Sequence, residues 1–415
     1  MNITIQSGAL RGDIAAVSSK SQAHRLLICA ALADAPTQVI CPQVSHDILA
    51  TARCLDSLCA DIEQTRQGFL VKPCPPKADP VLDCGESGST YRFLLPVASS
   101  LGSSARFCLA GRLPQRPMAP LFEALEAHGI TVCGKGSTRI TITGRLSGGC
   151  FALPGDISSQ FVSGLLLAAP RTGTACQIRL TSKLASKGYV DITREAMRRF
   201  SVHVEGLDVR AGQSYHSPGC VGVEGDWSNA AFWLCAAACG SQVRVSALSA
   251  LSSQGDKAIL DILRRFGAAI QMEGSYLRVT AKQLNGTEVD IGDTPDLAPA
   301  VAMLGVMASG ITVMHPISRL RLKESDRAQS ITDTLSALGA DIRIAGEQLI
   351  ITGTGSLRGG LADSCGDHRI AMMAALGASF SREAVTIQGA EAVDKSYPLF
   401  FDDLAKLGAQ LSIVN

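Results

Sequence analysis

The sequence predicts an α/β protein of two large domains, and three observations support this fold class. First, 415 residues are too many for one ordinary domain. Second, 46% of the residues are hydrophobic and only 18% are charged, which suits large buried cores rather than disorder. Third, one structural pattern occurs six times along the chain. We therefore expect three copies of this pattern in each domain, arranged around a pseudo-threefold axis.

The repeated pattern is an amphipathic helix that ends at a small residue and continues into a short strand. Two examples are "FEALEAHGITV" and "TDTLSALGADIR", where glycine takes the position at which a helix end favours a left-handed residue. The apolar alternation that follows is typical of a strand. Such junctions occur in any α/β protein, but here they recur at intervals of 66 to 72 residues. The six small residues are Cys59, Gly129, Ser201, Gly267, Gly339 and Gly408.

Charge and composition argue against several functional classes. The formal net charge is +1, whereas general nucleic-acid binding needs a basic surface that neutralises phosphates. The first residues, "MNITIQSGALRGDI", lack the basic and apolar regions of a signal peptide, and the apolar stretch 297–310 is shorter than a membrane span. The 14 cysteines are scattered, without the Cys and His spacing of a zinc site. We expect a soluble cytoplasmic protein with no metal.

Cations and hydroxyls cluster at the predicted starts of apolar helices in the first half of the chain. Free backbone N–H groups and the helix dipole favour anions at such positions. In "GESGSTYR", a glycine would let a ligand approach the backbone closely, and Arg92 follows one turn later. Each feature by itself also fits an ordinary helix cap or turn. The candidates are Lys20, Ser21, Arg25, Gly88, Arg116, Ser158, Ser159, Gln160 and Ser186.

The second half of the chain adds carboxylates to the same pattern. The stretch "RLRLKESDR" holds four cations and two carboxylates. If "RLRLK" is extended, Arg319, Arg321 and Lys323 share one face, and Ser325 is a suitable cap for a following helix.

Carboxylates placed among cations indicate a cleft that binds small polyanions and performs general acid–base chemistry. An aspartate before an apolar helix can also simply stabilise the helix dipole. We expect Lys395 and Ser396 to lie at the entrance to a helix. The candidates in this half are Asp290, Asp293, Asp296, Lys323, Glu324, Arg327, Asp367, His368, Arg369, Lys395 and Ser396.

These stretches resemble the 5-enolpyruvylshikimate-3-phosphate synthase family of enolpyruvyl transferases. The resemblance covers the whole chain in the family's order, through "SKSQAHR", "ESGSTYR", "RP", "SSQF", "SKGYVDIT", "TPDLAP", "KESDR", "DHRIAM" and "KSYP". It implies an inside-out α/β barrel of two domains, each with three βαβαββ units. It also implies an N-terminal domain of residues 14–224, mainly for shikimate 3-phosphate, and a C-terminal domain of residues 1–13 plus 225–415. Phosphoenolpyruvate (PEP) would bind in the cleft between the domains.

By this resemblance, the chain transfers the enolpyruvyl group of PEP to the 5-hydroxyl of shikimate 3-phosphate, by addition and then elimination of phosphate. Asp296 would accept the hydroxyl proton and Glu324 would protonate the PEP methylene. Lys20 would assist, and His368 would orient its neighbours. The resemblance implies no cofactor and a monomeric assembly. Shikimate 3-phosphate would contact Lys20, Ser21, Arg25, Ser158, Ser159, Gln160, Ser186, Asp296 and Lys323, and PEP would contact Lys20, Gly88, Arg116, Gln160, Arg327, Arg369 and Lys395.

Two positions depart from the family pattern. Many members have asparagine where this chain has Glu86, and some have asparagine at the position of Arg319. A carboxylate at position 86 is expected to point away from the anion site, to pair with a cation, or to weaken anion binding.

Two alternative functions remain open at this stage. The first is UDP-N-acetylglucosamine enolpyruvyl transferase, which shares the fold and typically has Lys-Asn near its start and a reactive cysteine in a mobile loop. This chain instead has Lys20 followed by Ser21, and no cysteine lies near Arg116 in the sequence. The second is a non-catalytic anion-binding protein, which would not need Asp296 and Glu324 together.

Overall fold

The computed structural model describes residues 1–414, which form two compact units. The N-terminal unit is Ser18–Glu224, and the C-terminal unit combines Met1–Val17 with the chain from Gly225 onward. No helix within residues 1–414 has both the length and the apolar character needed to cross a bilayer.

Twenty-four strands and twelve α-helices occur within residues 1–414. The strands are β1 (Asn2–Ile5), β2 (Arg11–Ala15), β3 (Thr37–Ile40), β4 (Ala60–Thr65), β5 (Gly68–Pro73), β6 (Val81–Gly85), β7 (Ala105–Leu109), β8 (Ile130–Cys133), β9 (Arg139–Gly144), β10 (Gly149–Leu153), β11 (Cys176–Leu180), β12 (Val204–Glu205), β13 (Asp208–Val209), β14 (Cys220–Gly222), β15 (Gln242–Ser246), β16 (Ala269–Glu273), β17 (Tyr276–Thr280), β18 (Glu288–Asp290), β19 (Ile311–His315), β20 (Asp341–Ala345), β21 (Gln348–Thr352), β22 (Gly360–Asp363), β23 (Val385–Gln388) and β24 (Leu411–Val414).

The α-helices are α1 (Lys20–Ala31), α2 (His46–Leu58), α3 (Gly88–Leu101), α4 (Ala119–Glu126), α5 (Ser159–Ala168), α6 (Lys187–Arg199), α7 (Trp227–Ala238), α8 (Ile259–Arg265), α9 (Ala298–Met307), α10 (Arg327–Ala337), α11 (His368–Ala378) and α12 (Phe400–Lys406). Short 3-10 helices span Leu113–Gln115, Ala169–Arg171, Gly255–Ala258, Ser318–Leu322 and Ala390–Lys395.

Residues 1–414 form six four-stranded sheets that share one topology. In the unit β6-α3-β7-α4-β8-β9, for example, β6 pairs in parallel with β7, while β9 pairs antiparallel with both β7 and β8. A parallel pair needs a crossover connection, and the helix between the two strands supplies it. The predicted fold class, an inside-out α/β barrel with three βαβαββ units in each domain, is confirmed. The strand orders are β14-β3-β5-β4, β6-β7-β9-β8 and β10-β11-β13-β12 in the N-terminal unit, and β16-β17-β15-β2, β18-β19-β21-β20 and β22-β23-β1-β24 in the C-terminal unit.

Three βαβαββ units are completed by a strand that is distant in sequence, namely β14, β1 and β2. Strand β14 pairs in parallel with β3 and supplies the first strand of the unit that contains α1 and α2. Strand β1 lies between β23 and β24 and supplies the last strand of the unit that contains α11 and α12. Strand β2 pairs with β15 of the C-terminal unit and supplies the first strand of the unit that contains α7 and α8, and the N-terminal unit begins after it, at Ser18.

Each unit buries one helix from each of its three βαβαββ units. Helices α1, α3 and α5 contact one another, and so do α7, α9 and α11. A helix that is apolar on every side has no face suited to water. Helix α9, "APAVAMLGVM", shows this character, and all its residues except Met307 are buried. All of these buried helices except α7 begin at or near candidate residues, so packing in the core of each unit determines where those residues lie.

The helix–strand junctions predicted from the repeat connect the outer helices to the third strand of each unit. The four glycines of the repeat, at 129, 267, 339 and 408, have φ between +93° and +101°, as predicted for a left-handed helix end. Ser201 also takes this region, with φ of 64°. The prediction is wrong at Cys59, whose φ is −159°. Cys59 is the single residue between α2 and β4, whereas the other five junctions have at least three residues in which to form a left-handed turn.

Candidate active site

In the N-terminal unit, Lys20 opens the buried helix α1 and pairs with a carboxylate on α2. Lys20 Nζ lies 2.9 Å from Oδ2 of Asp47, and the two side chains are only 15% and 8% exposed. Loss of water strengthens the attraction between the charges and also carries a desolvation cost. The sequence analysis missed Asp47, because the pairing joins the starts of two helices 27 residues apart.

A second group of side chains surrounds Gly88, the first residue of α3. A Cβ atom at this position would lie 2.9 Å from Arg116 Nη1 and 3.6 Å from Arg92 Nη1. Arg92 Nη1 donates to Gln160 Oε1 at 2.7 Å, and Gln160 Nε2 donates to Ser89 Oγ at 2.9 Å. The sequence analysis noted Arg92 without a role, whereas the structure shows that Arg92 connects the starts of α3 and α5. The absence of a side chain at Gly88 leaves room for the two guanidinium groups.

The candidate serines lie at the starts of α5 and α6. Ser158 is the N-cap of α5 and accepts a hydrogen bond from the Gln160 backbone N–H at 3.3 Å, as the capping alternative predicted. Ser159 is the first residue of the same helix. Ser186 precedes α6 with φ of 54°, and left-handed residues other than glycine are concentrated at functional sites.

Arg25 is 1% exposed, and several helices hold its guanidinium group. Its Nε donates to Thr193 Oγ1 at 2.6 Å, and its Nη2 donates to the Tyr189 carbonyl at 2.9 Å. Its Nη1 donates to the Ser21 carbonyl at 2.5 Å. Burial lowers the pKa of Arg25 to about 9. Arg25 therefore fixes the start of α1 relative to α6.

In the C-terminal unit, Asp296 lies just before α9 and binds three cationic side chains. Its Oδ1 accepts from Lys323 Nζ at 3.0 Å and from Arg327 Nη1 at 2.8 Å, and its Oδ2 accepts from Arg369 Nη2 at 3.2 Å. Burial alone would raise the pKa of Asp296, but the charges of Arg369, Lys323 and Arg327 outweigh burial and hold this pKa well below its ordinary value. Burial also lowers the pKa of Lys323 to about 8, although Asp296 opposes that change.

Arg327 is completely buried and binds three carboxylates. Its Nη1 lies 2.8 Å from Asp296, its Nη2 lies 2.8 Å from Glu324, and its Nε lies 2.9 Å from Asp367. Burial would lower the pKa of Arg327, but the charges of Asp367, Glu324 and Asp296 raise it above its ordinary value. One guanidinium group thus connects the two carboxylates that the sequence analysis assigned to proton transfer.

Asp367 is the N-cap of helix α11, and the two candidates that follow it open this helix. Asp367 Oδ1 accepts from the Arg369 backbone N–H at 3.0 Å. His368 is 2% exposed, and its Nδ1 lies 3.6 Å from Asp367 Oδ1. The cap therefore positions both His368 and Arg369 at the start of the helix.

The extended conformation considered for "RLRLK" is wrong. Ser318–Leu322 is a 3-10 helix, because this turn buries Leu320 completely. Arg319 Nη1 donates to the carbonyl of Gly292 at 2.9 Å. The structure therefore places Arg319 against the loop before α9.

Two helix-boundary expectations in the C-terminal unit are also wrong. Helix α10 is capped by Asp326 rather than by Ser325, whose hydroxyl donates to Asp367 Oδ2 at 3.3 Å. Lys395 ends a 3-10 helix instead of preceding a helix, and α12 begins only at Phe400. At α10 the neighbouring Asp326 accepts the capping hydrogen bond from the Gln329 backbone N–H, whereas α12 follows Leu399, which makes no side-chain cap.

Glu86 is exposed and packs against the turn that leads to Arg116. A Cβ atom on Gly111, whose φ is +54°, would clash with Glu86 Oε1. The Glu86 carboxylate therefore lies against a left-handed glycine between β7 and the 3-10 helix Leu113–Gln115.

Asp256 is a further buried acid that the sequence analysis missed. It is 3% exposed and accepts a hydrogen bond from the Ser228 hydroxyl at the start of α7. Burial, together with the negative charge of Asp296, raises the pKa of Asp256 to about 6. Within residues 1–414, no group of three or more His, Cys, Asp or Glu side chains is arranged to hold a metal ion.

Comparison with known proteins decides the family. A model of the EPSP synthase (3-phosphoshikimate 1-carboxyvinyltransferase) family matches residues 5–404. The chain belongs to this family. A 3-phosphoshikimate 1-carboxyvinyltransferase of Clostridium kluyveri is 36% identical over 417 residues, covering 99% of this chain and 98% of that protein. A 3-phosphoshikimate 1-carboxyvinyltransferase of Halobacterium salinarum is 38% identical over 429 residues and covers 99% of both chains.

Solved structures agree with this assignment. The EPSP synthase of Acinetobacter baumannii superposes with a TM-score of 0.80 at 26% identity, covering 99% of this chain and 100% of that chain. An enolpyruvyl transferase of Streptomyces tendae also has a TM-score of 0.80, and its 18% identity supports the shared fold alone. The family resemblance inferred from the short motifs is therefore confirmed.

Proposed function

We propose that this chain transfers the enolpyruvyl group of PEP to the 5-hydroxyl of shikimate 3-phosphate and releases phosphate. The carrying observation is that Arg327 joins Asp296 and Glu324, at 2.8 Å each, inside a cluster of cations. A protein that only bound anions would not need two carboxylates among its cationic side chains. Membership in the EPSP synthase family supplies the reaction class.

The proposed substrate contacts follow the family motifs. In the N-terminal unit, the helix starts and their hydroxyls suit the phosphate and hydroxyl groups of shikimate 3-phosphate. Guanidinium groups suit the carboxylate and phosphate of PEP, because they can bind such groups in a bidentate manner. We assign Lys20, Ser21, Arg25, Ser158, Ser159, Gln160, Ser186, Asp296 and Lys323 to shikimate 3-phosphate, and Lys20, Gly88, Arg116, Gln160, Arg327, Arg369 and Lys395 to PEP.

The chemistry assigned to the carboxylates is addition followed by elimination. Asp296 accepts the proton of the 5-hydroxyl while the hydroxyl oxygen bonds to C2 of PEP, and Glu324 gives a proton to the C3 methylene. The C2–O bond to phosphate then breaks, the phosphate leaves with the proton held by Asp296, and a proton returns from C3 to Glu324 to form the enol ether. The fixed cations stabilise the negative charge in both steps, and electrostatic stabilisation of this kind is usually the largest single rate term.

The pKa of Asp296 bears directly on its role as a base. Three cations hold this pKa low in the protein without substrate, which makes the carboxylate weakly basic. Anionic substrates would attract the same cations and so weaken their effect on Asp296. Substrate binding is thus expected to raise the pKa of Asp296 towards its ordinary value when the 5-hydroxyl arrives.

The direct test is to mix the purified protein with shikimate 3-phosphate and PEP and to measure inorganic phosphate. Phosphate should appear only when both substrates are present, together with a product that is heavier by the enolpyruvyl group. Phosphate formation with UDP-N-acetylglucosamine in place of shikimate 3-phosphate, or inactivation by a thiol-alkylating epoxide such as fosfomycin, would instead support the alternative transferase.

Glyphosate, which resembles PEP, is expected to compete with PEP, because Gly88 matches the form of this loop that, by the family resemblance, is expected to admit the inhibitor. The Gly88→Ala variant places a Cβ atom 2.9 Å from Arg116 Nη1, so this side chain must shift. We expect the inhibition constant of glyphosate to rise by about 10- to 200-fold, the usual effect of one misfitting methyl or methylene group. The KM for PEP should rise less, since PEP is the shorter molecule.

The matched control is Gly222→Ala, because no atom lies within 4 Å of a Cβ atom at Gly222 in the same unit. This variant should keep the wild-type KM and inhibition constant. Rapid turnover at millimolar glyphosate by the wild-type protein would contradict the expectation. Glu86→Asn would then show whether the Glu86 carboxylate excludes the inhibitor.

We also propose that the chain acts as a monomer in the cytoplasm, as the family resemblance suggests. Sedimentation equilibrium over a range of protein concentrations tests the assembly state, and a mass twice that of the chain would contradict a monomer.

A further inference from the structure

A buried chain of hydrogen bonds connects α1, α2 and α3 below the candidate residues of the N-terminal unit. His24 Nδ1 lies 2.7 Å from Thr51 Oγ1, and Thr51 Oγ1 lies 2.6 Å from Thr90 Oγ1. Thr90 Oγ1 donates to Ser87 Oγ at 2.7 Å. All four side chains are at most 1% exposed. We call this set of four residues the relay.

The hydrogen bonds of the relay all run in one direction, with donors and acceptors following one another from His24 to Ser87. Thr90 directs its single hydroxyl proton to Ser87 Oγ at 2.7 Å, with the Asp47 carbonyl at 3.5 Å as the other acceptor, and with either acceptor the hydrogen bond between the threonines comes from Thr51. Thr51 then has no proton left for His24 and must accept one from the imidazole. His24 therefore carries its proton on Nδ1, and its buried Nε2, which has no hydrogen-bond partner, is an acceptor rather than an unsatisfied donor.

The imidazole stays neutral at physiological pH. Burial is the main reason that the pKa of His24 falls to about 3, and the charges of Lys20 and Arg25 lower it further against the opposing effect of Asp47. A neutral His24 suits the relay, because a protonated ring would present a second N–H donor in an apolar environment.

The relay lies close to the residues assigned to PEP. His24 is one turn after Lys20 in α1, and Thr51 is one turn after Asp47 in α2. Thr90 is two residues after Gly88 in α3. The three helices are therefore tied together directly below their first turns, where Lys20 and Asp47 form an ion pair of 2.9 Å.

We propose that His24, Thr51 and Thr90 are positioning residues that hold Lys20 and Gly88 in the arrangement required for PEP. This inference rests on the proposed function. The relay residues touch neither substrate in this proposal, and they act by fixing the separation of three helix starts. A misplacement of about 1 Å at a substrate-binding group is enough to lower activity substantially.

The test is Thr51→Val, which keeps the shape of the side chain and removes its hydroxyl. The matched control is Thr37→Val, because Thr37 is also completely buried in the same unit and also pairs with a hydroxyl, at 2.7 Å from Ser217 Oγ. We expect Thr51→Val to raise the KM for PEP on the order of tenfold with kcat nearly unchanged, whereas Thr37→Val leaves both constants unchanged. Thr51→Ser, which restores the hydroxyl, should return the KM to within about twofold of wild type.

Nitrogen-15 NMR of the unliganded protein tests the relay independently of turnover. The His24 ring should show a neutral imidazole protonated at Nδ1 in the wild type, and this signal should change in Thr51→Val but not in Thr37→Val.

If Thr51→Val does not fold, the pair Thr90→Val and Thr90→Ser takes its place, with Thr90→Ser as the variant that restores the hydroxyl. A wild-type protein that never converts PEP would refute the proposed function. An active protein whose PEP KM is equally insensitive to both threonine variants, or whose His24 is protonated at Nε2, would refute the relay.

Discussion

Replacing Glu324 with glutamine is expected to lower kcat by about 10²- to 10⁴-fold, the usual contribution of a positioned general acid. Glutamine keeps the size of the side chain and an oxygen that can accept from Arg327 Nη2, which lies 2.8 Å from the wild-type carboxylate. It cannot deliver a proton to the PEP methylene. Binding of shikimate 3-phosphate, measured by calorimetry, should therefore survive while steady-state turnover falls.

The control for this substitution is Glu347→Gln. Glu347 is exposed, and its carboxylate accepts from the Ser318 backbone N–H at 2.9 Å, a bond that an amide oxygen can replace. This variant should turn over at the wild-type rate. Normal turnover by Glu324→Gln would remove Glu324 from the mechanism and favour an anion-binding protein that acts without this acid.

Replacing Arg327 with methionine is expected to lower the free energy of unfolding of the C-terminal unit by about 3–5 kcal/mol, the usual cost of breaking a buried ion pair. Arg327 is 0% exposed and is the shared partner of Asp296, Glu324 and Asp367. Its removal leaves the buried charge of Asp367 and the partly buried charges of Asp296 and Glu324 less compensated. Urea unfolding monitored by tryptophan fluorescence reports on this unit, since Trp227 and Trp233 both lie in α7.

Arg321→Met serves as the comparison, because Arg321 forms an exposed ion pair of 3.5 Å with Asp326. Surface pairs contribute only about 0–1 kcal/mol, so this variant should unfold close to wild type. Equal stability of the Arg327 and Arg321 variants would show that the buried Asp367 and the partly buried Asp296 and Glu324 do not depend on Arg327. Activity should be lost in the Arg327 variant alone.

Much of the fold was predictable because its signals are local. The end of an outer helix requires a particular backbone conformation, so glycine marked four of the six repeats, and Ser201 took the same conformation without glycine. The three strands that complete units distant in sequence, β1, β2 and β14, were not predictable from such local signals. These strands pair by hydrogen bonding with strands far away in the sequence, and no local sequence pattern indicates such a pairing.

The candidate residues also divide into those with a local sequence signal and those defined only by contacts distant in sequence. The positions of Lys20, Gly88 and Arg369 at helix starts were predicted, because charged or flexible residues at such positions form short motifs. Asp47 and Asp256 were missed, since nothing next to them in the sequence indicates that each one lies near a charged group in the fold.

The sequence by itself determined the class of chemistry, because the identity and order of cations and carboxylates along the chain restrict the ligands and reactions that are possible. Tertiary structure alone decided the partner of each charge. Lys20 pairs with Asp47, Arg92 with Gln160, and Arg327 with Asp296, across 27, 68 and 31 residues. Packing of the buried helices brings these groups within hydrogen-bonding distance, and separation along a chain does not encode separation in space.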